Sequence, residues 1–295
     1  MAYTPILAGL TAALCWGTAD YMSRSQSERV GYYRTVIYSQ IITLITLLAL
    51  VPVISPGLTF PTYPTLALLG AGVLNFAAFN FLYRAFHRGV ISVVAPTVYT
   101  YPAVTTVLSV VILGTFLSNV QLAAITGIIV GVILLSTRFS ELQASLSGSV
   151  RPKLTKGVDQ AIGASFFFGT VYIAVGYAAP LVSVVVPAML LRAVAVLAGF
   201  LFAPILRQQV RPIRGVLSKT MVFMGVIEAV GFLAFTYGIS SAGGSLPVVT
   251  ALSGMGGAVA ASYGLAFLKE RLEPNQVLGV ILSLFGVFAL LYFGS

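Results

Sequence analysis

Long apolar stretches separated by short polar segments dominate the pattern of the chain. A transmembrane helix needs about 20 mostly apolar residues, and windows of that length identify ten stretches, numbered here as spans 1 to 10. The spans are Thr4–Met22, Tyr32–Val53, Tyr63–Tyr83, Val90–Gly114, Val120–Ser136, Val158–Ala178, Val184–Ile205, Ser218–Ile239, Ser245–Leu268 and Gln276–Phe293. The pattern predicts an all-α membrane protein with ten transmembrane helices, multi-pass in a cell membrane and surrounded by the lipid bilayer.

Composition removes several classes of function. The chain is 58% hydrophobic and 8% charged, with a mean hydropathy of +1.01, whereas soluble proteins carry about 25% charged residues. A single cysteine, Cys15, and a single histidine, His87, argue against disulfides and metal centres. No nucleophile cluster or phosphate-binding glycine loop is present. We therefore expect no enzyme, no nucleic-acid partner, no metal and no cofactor.

The basic residues predict the orientation of the chain. Of the 16 lysines and arginines, 15 lie in or beside the odd-numbered loops, and Arg192 is the exception. Because Lys and Arg resist translocation, these loops are expected to be cytoplasmic and both termini outside. One missed or invented helix would scramble this asymmetry, so it also supports the count of ten.

The two halves of the chain contain similar runs of sequence in the same order. The matches pair Ala12–Thr18 with Ala164–Thr170, Val51–Pro52 with Ala203–Pro204, Gly72–Asn75 with Gly225–Glu228, and Leu113–Leu117 with Leu268–Leu272. Because five is an odd number of helices, the second copy of the repeat must enter the membrane in the opposite orientation. The sequence thus predicts two inverted five-helix repeats at residues 1–137 and 158–295, joined by a polar cytoplasmic linker at 138–157.

Two motifs carry a resemblance to a known family. These are Cys15-Trp16-Gly17-Thr18 in span 1 and Leu268-Lys269-Glu270-Arg271-Leu272 after span 9. The chain resembles the ten-helix EamA branch of the drug/metabolite transporter superfamily, with Lys269 where the family signature has glycine and Thr115 at the matching glutamate position of the first half. The resemblance implies carrier-type transport of amino acids, related metabolites or small organic ions without ATP hydrolysis. Many relatives place their termini in the cytoplasm, opposite to the orientation that the charges predict.

Two charged residues lie deep within spans and are the first candidates for a substrate site. Arg192 in span 7 and Glu228 in span 8 belong to antiparallel neighbours and could meet at similar depth, and their repeat counterparts are Gln40 and Asn75. Charges in the membrane are usually functional. Glu228 could carry a proton or bind a substrate ammonium, and Arg192 could bind a carboxylate. The alternative is a permanent ion pair that locks two helices.

Aromatic and acidic residues supply further candidates. The rings of Trp16, Tyr83, Tyr99 and Tyr237 could stack on a substrate or surround a quaternary ammonium, whereas ordinary helix packing is the alternative. Asp20 is interpreted as an interfacial residue that meets headgroups, water or Arg24, with a gate as the alternative. Glu270 fits either the family signature or helix-end electrostatics.

Prolines and glycines predict breaks in spans 4 and 9. Span 4 contains Pro96 and Pro102, and span 9 contains Pro247, Gly254 and Gly256. Broken helices at corresponding places in two repeats are typical of the binding region of a transporter.

Together these features predict a secondary-active transporter that moves a small polar or amphiphilic metabolite by alternating access. An amino acid or derivative is favoured, with proton coupling through Glu228; a choline-like quaternary ammonium is the first alternative, and a non-transporting sensor or scaffold is the second. The sequence leaves the substrate and the direction of transport open. A monomer suffices, and a dimer is also compatible.

Overall fold

The computed structural model describes residues 4–55, 57–113, 118–136, 155–241 and 246–293. Within these ranges the chain is helical and contains no strand. The helices are α1 Thr4–Val30, α2 Tyr32–Ile54, α3 Thr62–Arg88, α4 Ile91–Val98, α5 Tyr101–Leu113, α6 Asn119–Ser136, α7 Val158–Ala178, α8 Val185–Phe202, α9 Lys219–Ser240, α10 Leu246–Ser253, α11 Gly256–Phe267 and α12 Pro274–Phe293.

The length and composition of these helices identify a multi-pass membrane protein. In the described part of the chain, seven helical stretches are long and apolar enough to cross a bilayer, and two shorter apolar stretches, Leu122–Leu134 and Pro274–Ala289, fall in spans 5 and 10. Helix α1 covers span 1 and continues to Val30 as a polar extension. The prediction of an all-α membrane protein is confirmed, while the count of ten spans stays a prediction.

Spans 4 and 9 are each interrupted, as their prolines and glycines predict. The first break lies at Tyr99–Thr100, between α4 and α5, and the second at Gly254–Met255, between α10 and α11. Pro102 has no N–H for the carbonyl of Val98, which ends regular hydrogen bonding there. Tyr99 and Gly254 precede the matched residues Leu113 and Leu268 by the same number of positions. The breaks therefore occupy equivalent places in the two halves.

Packing between the halves follows the sequence repeat. Helix α1 packs against α9, and α3 packs against α7, so spans 1 and 3 of the first half meet spans 8 and 6 of the second. If the two halves are exchanged, the pair of spans 1 and 8 becomes the pair of spans 6 and 3. Helices α6 and α12, the last of each half, pack against each other. The structure thus has the contacts expected of two related halves.

The broken helices approach each other unequally. Helix α4 packs closely on α11, where a Cβ atom added at Gly256 would lie 2.6 Å from a ring carbon of Tyr99, and one at Gly264 would lie 2.4 Å from Ile91. Only glycine permits this approach. Helices α5 and α10 contact each other much less. One end of the bundle is therefore more tightly closed than the other.

Two sequence predictions fall partly or wholly outside the described residues. The predicted linker at 138–157 is described only from Thr155, where Gly157, with a φ of 87°, precedes α7. Thr115, the counterpart of Glu270, lies outside the described ranges.

Candidate substrate-binding cavity

An ion pair lies between α8 and α9. Arg192 Nη2 donates to Glu228 Oε1 at 3.0 Å, and the side chains are 1% and 3% exposed. The meeting of these two charges, which their places in antiparallel neighbours predict, is confirmed. Opposite charges and mutual hydrogen bonding make the burial of such groups tolerable in a low-dielectric interior.

Glu228 is held by further donors from α2. Gln40 Nε2 lies 3.5 Å from Glu228 Oε1, and Thr43 Oγ1 lies 3.3 Å from Oε2 while also contacting the carbonyl of Gly225 at 3.0 Å. Both carboxylate oxygens therefore have protein partners. Gln40, the repeat counterpart of Arg192, lies beside the ion pair, as a polar position at matching depth predicts.

Arg192 retains free hydrogen-bonding capacity. Its guanidinium lies between the rings of Phe79 and Phe232, 4.7 and 5.0 Å from their centroids, an arrangement that stabilises a cation. Its Nε and Nη1 have no hydrogen-bond partner among the described residues. A buried donor without a partner is costly, so these atoms mark a place where an acceptor would be favourable.

Aromatic rings surround the space next to the ion pair. Trp16 stacks on Tyr172 with centroids 6.0 Å apart and an interplanar angle of 12°, and lies 5.3 Å from Phe235. Tyr101 lies 4.8 Å from Tyr172, and its hydroxyl is 2.6 Å from that of Ser253. The cluster joins α1, α5, α7 and α9, so it is built from both halves.

A cavity of about 30 Å³ lies among these side chains. Its lining comes from both halves and combines aromatic, aliphatic and charged groups: Trp16, Ala19, Asp20, Phe79, Leu82, Val98, Tyr99, Tyr101, Phe168, Tyr172, Arg192 and Glu228. A volume of this size holds about two water molecules. A metabolite is larger than this volume.

Asp20 lines this cavity, so the interpretation of Asp20 as an interfacial residue is wrong. It is 6% exposed and lines the cavity together with Tyr99. The sequence placed the end of span 1 at Met22, whereas α1 continues to Val30, which leaves Asp20 well inside the helix. Arg24, its expected partner, instead pairs with Glu28 and Glu270.

A spacing in the sequence could have identified Asp20. It follows Trp16 by four residues, which puts both side chains on one helix face. Their repeat counterparts are Phe168 and Tyr172, and all four residues line the cavity. Tyr172 was also missed, although it follows Phe168 by the same interval.

The remaining predicted site residues divide into two groups. Trp16 and Tyr99 line the cavity; Tyr83 is 1% exposed and packs edge-on against Phe79 with centroids 5.7 Å apart. Asn75 is 1% exposed, and its Nδ2 has no partner among the described residues. Tyr237 is 53% exposed and is not among the residues that line this cavity, so the structure does not bring it together with the other candidates. It follows Glu228 by nine positions, which is about two and a half helical turns and places it on the opposite face.

Glu270 lies at one end of the bundle, away from the cavity. Its carboxylate accepts from the backbone N–H groups of Ile91 and Ser92, at 3.0 and 2.9 Å, and from the Ser92 hydroxyl at 2.7 Å. Arg24 forms an ion pair with the same carboxylate. Glu270 therefore caps α4 and ties it to α1. This favours the helix-end interpretation of the signature residue.

Comparison with known proteins identifies a solved structure with a similar fold and a relative about half as long as this chain. A solved structure described as the crystal structure of a protein matches with a TM-score of 0.67 and 16% sequence identity, covering 100% of both chains. An uncharacterized protein of Methanocaldococcus jannaschii is 29% identical over 133 residues, which is 45% of this chain and 96% of that protein. That relative has about the length of one half of this chain.

The family model for EamA-like transporters matches the chain twice. The matched segments are residues 4–137 and 155–292, which coincide closely with the two halves that the sequence repeat and the packing define. The double match covers nearly the whole chain. The chain belongs to the EamA-like transporter family, within the drug/metabolite transporter superfamily.

Proposed function

We propose that the protein is a secondary-active carrier for a small zwitterionic metabolite, with an amino acid or a close derivative as the favoured substrate. The observation that carries the proposal is the buried Arg192, which faces a cavity between the two halves with Nε and Nη1 unpartnered among the described residues. A substrate carboxylate is an acceptor that the unpartnered N–H groups of a guanidinium bind well. Family membership supports transport as the activity.

The proposal includes alternating access through an inverted pair of repeats. Five spans per half require the second half to enter the membrane from the other side, and inverted repeats of this kind place the substrate near the bilayer midplane. The small cavity and the unequal packing of the broken helices support a closed arrangement that opens to admit substrate. The breaks at Tyr99–Thr100 and Gly254–Met255 are the proposed hinges.

Proton coupling through Glu228 is part of the same proposal. In the structure Glu228 is the counterion of Arg192. When Glu228 takes up a proton, Arg192 loses that counterion. Arg192 can then bind the substrate carboxylate in place of Glu228. Binding of a proton and of a carboxylate would thereby favour each other. Glu228→Gln should remove the dependence of flux on a pH gradient, whereas Asp159→Asn, which alters an exposed carboxylate at the start of α7, should preserve it.

A choline-like quaternary ammonium is the second candidate, and one feature favours it. The rings of Trp16, Tyr101 and Tyr172 lie beside the Asp20 carboxylate around one cavity. Aromatic rings with a nearby carboxylate are typical of sites for quaternary ammonium groups. Such a substrate would not need the free donors of Arg192.

Solute flux into proteoliposomes without ATP tests the proposal. The solutes are a set of neutral amino acids, choline and simple carboxylates. We expect saturable flux of an amino acid that falls by about 10-fold or more in Arg192→Gln, since a hydrogen bond to a charged group contributes about 1.5–3 kcal/mol. Arg211→Gln, at an exposed arginine, is the matched control.

Each other outcome of this experiment has a defined meaning. Flux of choline that persists in Arg192→Gln would favour the quaternary ammonium. Binding of solutes without flux of any of them would favour a sensor or scaffold and overturn the carrier.

A further inference from the structure

We infer that Asp20, together with Tyr99, binds the ammonium group of the substrate, opposite the carboxylate-binding donors of Arg192. The inference rests on the proposed function and assigns the second charged end of the zwitterion. It replaces Glu228 as the candidate partner for a substrate ammonium and leaves Glu228 as the counterion of Arg192.

The distribution of protein partners separates the two carboxylates. Glu228 receives donors from Arg192, Gln40 and Thr43, so both of its oxygens are engaged. Asp20 shares the cavity lining with Tyr99 and forms no salt bridge with any described cation. A carboxylate at this depth in a membrane protein requires a positive partner or hydration. Asp20 is thus the group in the cavity that a substrate cation would satisfy.

The charges that line the cavity lead to the same assignment. Two carboxylates, Asp20 and Glu228, share the lining with one guanidinium, that of Arg192. Because Arg192 is paired with Glu228, the second carboxylate has no counterion of its own from the lining. An incoming ammonium group supplies that charge.

The surroundings of Asp20 suit a primary ammonium. Trp16 precedes Asp20 by four residues on α1 and presents its ring to the same cavity. An ammonium beside Asp20 would donate to the carboxylate and lie near the Trp16 ring, where a cation is attracted to the π face. Tyr99 lies at the break between α4 and α5, so closure of that hinge carries its hydroxyl with it. Ammonium binding is thereby linked to a moving part of the bundle.

Three probes of one shape separate the two ends of the site. Leucine carries both charged groups, isoamylamine has only the ammonium, and isocaproate has only the carboxylate. Binding of each is measured by isothermal titration calorimetry to the full-length protein in detergent. We expect Asp20→Asn to weaken leucine and isoamylamine by about 10- to 100-fold and to leave isocaproate equally tight or tighter, because a repulsive charge is removed.

Arg192→Gln is expected to give the opposite pattern, with isocaproate weakened and isoamylamine retained. Asp159→Asn, at an exposed carboxylate, is the matched control and should change none of the three affinities. Weaker binding of the amine without weaker binding of the acid is a result that a general loss of structure would not produce. Should Asp20→Asn not fold, Tyr99→Phe, which removes only the hydroxyl, should weaken leucine and isoamylamine by several-fold and spare isocaproate.

Specific outcomes overturn the inference without overturning the carrier. If leucine is bound and transported but Asp20→Asn binds leucine as tightly as the unmodified protein, Asp20 does not hold the ammonium. Equal weakening of all three probes in Asp20→Asn would likewise assign it a purely structural role. If the unmodified protein transports no solute of the flux set, the proposed function itself fails.

Discussion

Arg192 and Glu228 are buried together, and each charge depends on the other. Gln40 and Thr43 complete the surroundings of the carboxylate, while Phe79 and Phe232 flank the guanidinium. Removing one member leaves the other charge without its counterion, which costs about 3–5 kcal/mol in buried pairs. The pair therefore contributes to folding as well as to the proposed site.

A double-mutant cycle measures the coupling of this pair. We expect Glu228→Gln and Arg192→Met each to destabilise the protein by about 3 kcal/mol, and the double variant to lose clearly less than their sum, because no lone charge is left. Thermal unfolding in one detergent provides the measurement. Strictly additive losses would show that the two charges do not interact in the folded protein.

Lys269 adopts a backbone conformation that favours glycine. Its φ is 53°, in the left-handed region, which costs roughly 1–2 kcal/mol for a residue with a Cβ atom. The family signature has glycine at this position, and the conformation supplies the physical reason. Lys269 is exposed, so its side chain contributes little packing.

Lys269→Gly should stabilise the protein by about 1 kcal/mol after the added flexibility of the unfolded chain is allowed for. The melting temperature is expected to rise by about 2 °C. Arg271→Gly, at an exposed neighbour without positive φ, is the matched control and should not stabilise. A lower melting temperature for Lys269→Gly would show that the lysine side chain matters more than its backbone.

At the scale of elements, the end of the bundle where α4 meets α11 is fastened by one carboxylate. Glu270 accepts from the first N–H groups of α4, which have no partner within the helix, and pairs with Arg24 of α1. Three segments thus converge on a side chain that is 5% exposed. We expect this contact to stabilise the closed end.

Glu270→Gln should loosen the start of α4. Amide hydrogen exchange at Ile91 and Ser92 is expected to accelerate by about 10-fold or more, since two hydrogen bonds to a charged acceptor are weakened. The Glu28 side chain, the other partner of Arg24, is 56% exposed. Glu28→Gln should therefore leave the exchange at Ile91 and Ser92 unchanged. Equal acceleration in both variants would contradict the role given to Glu270.

For the whole molecule, hydropathy and repeat matching predicted the helices, the two halves and the contact between Arg192 and Glu228. These features depend on long segments or on positions at matching depth, which the sequence displays directly. The sequence was less informative about which face of a helix turns inward. The polar residues after Met22 predict a loop, whereas Ser23, Gln26 and Ser27 are helical and buried, and Asp20 therefore lies inside α1.

The orientation in the membrane is a prediction of the charge distribution that the fold alone does not test. In a Cys15→Ser background, Thr59→Cys, between α2 and α3, should react with a membrane-impermeant thiol reagent in intact cells. Pro212→Cys, between α8 and α9, should react only after the cells are opened. Both positions are exposed. The reverse pattern would place both termini in the cytoplasm.

The central claim is that substrate binds in the cavity between the two halves, and the chain contains a natural reporter for it. Trp16 is the only tryptophan of the sequence and lines that cavity. The most direct measurement is a titration of Trp16 fluorescence with the solute that shows the strongest flux. We predict a saturable change in emission whose half-maximal concentration matches that of the flux. This change should be lost in Arg192→Gln. Undiminished flux with no change in Trp16 emission at any concentration would contradict the account.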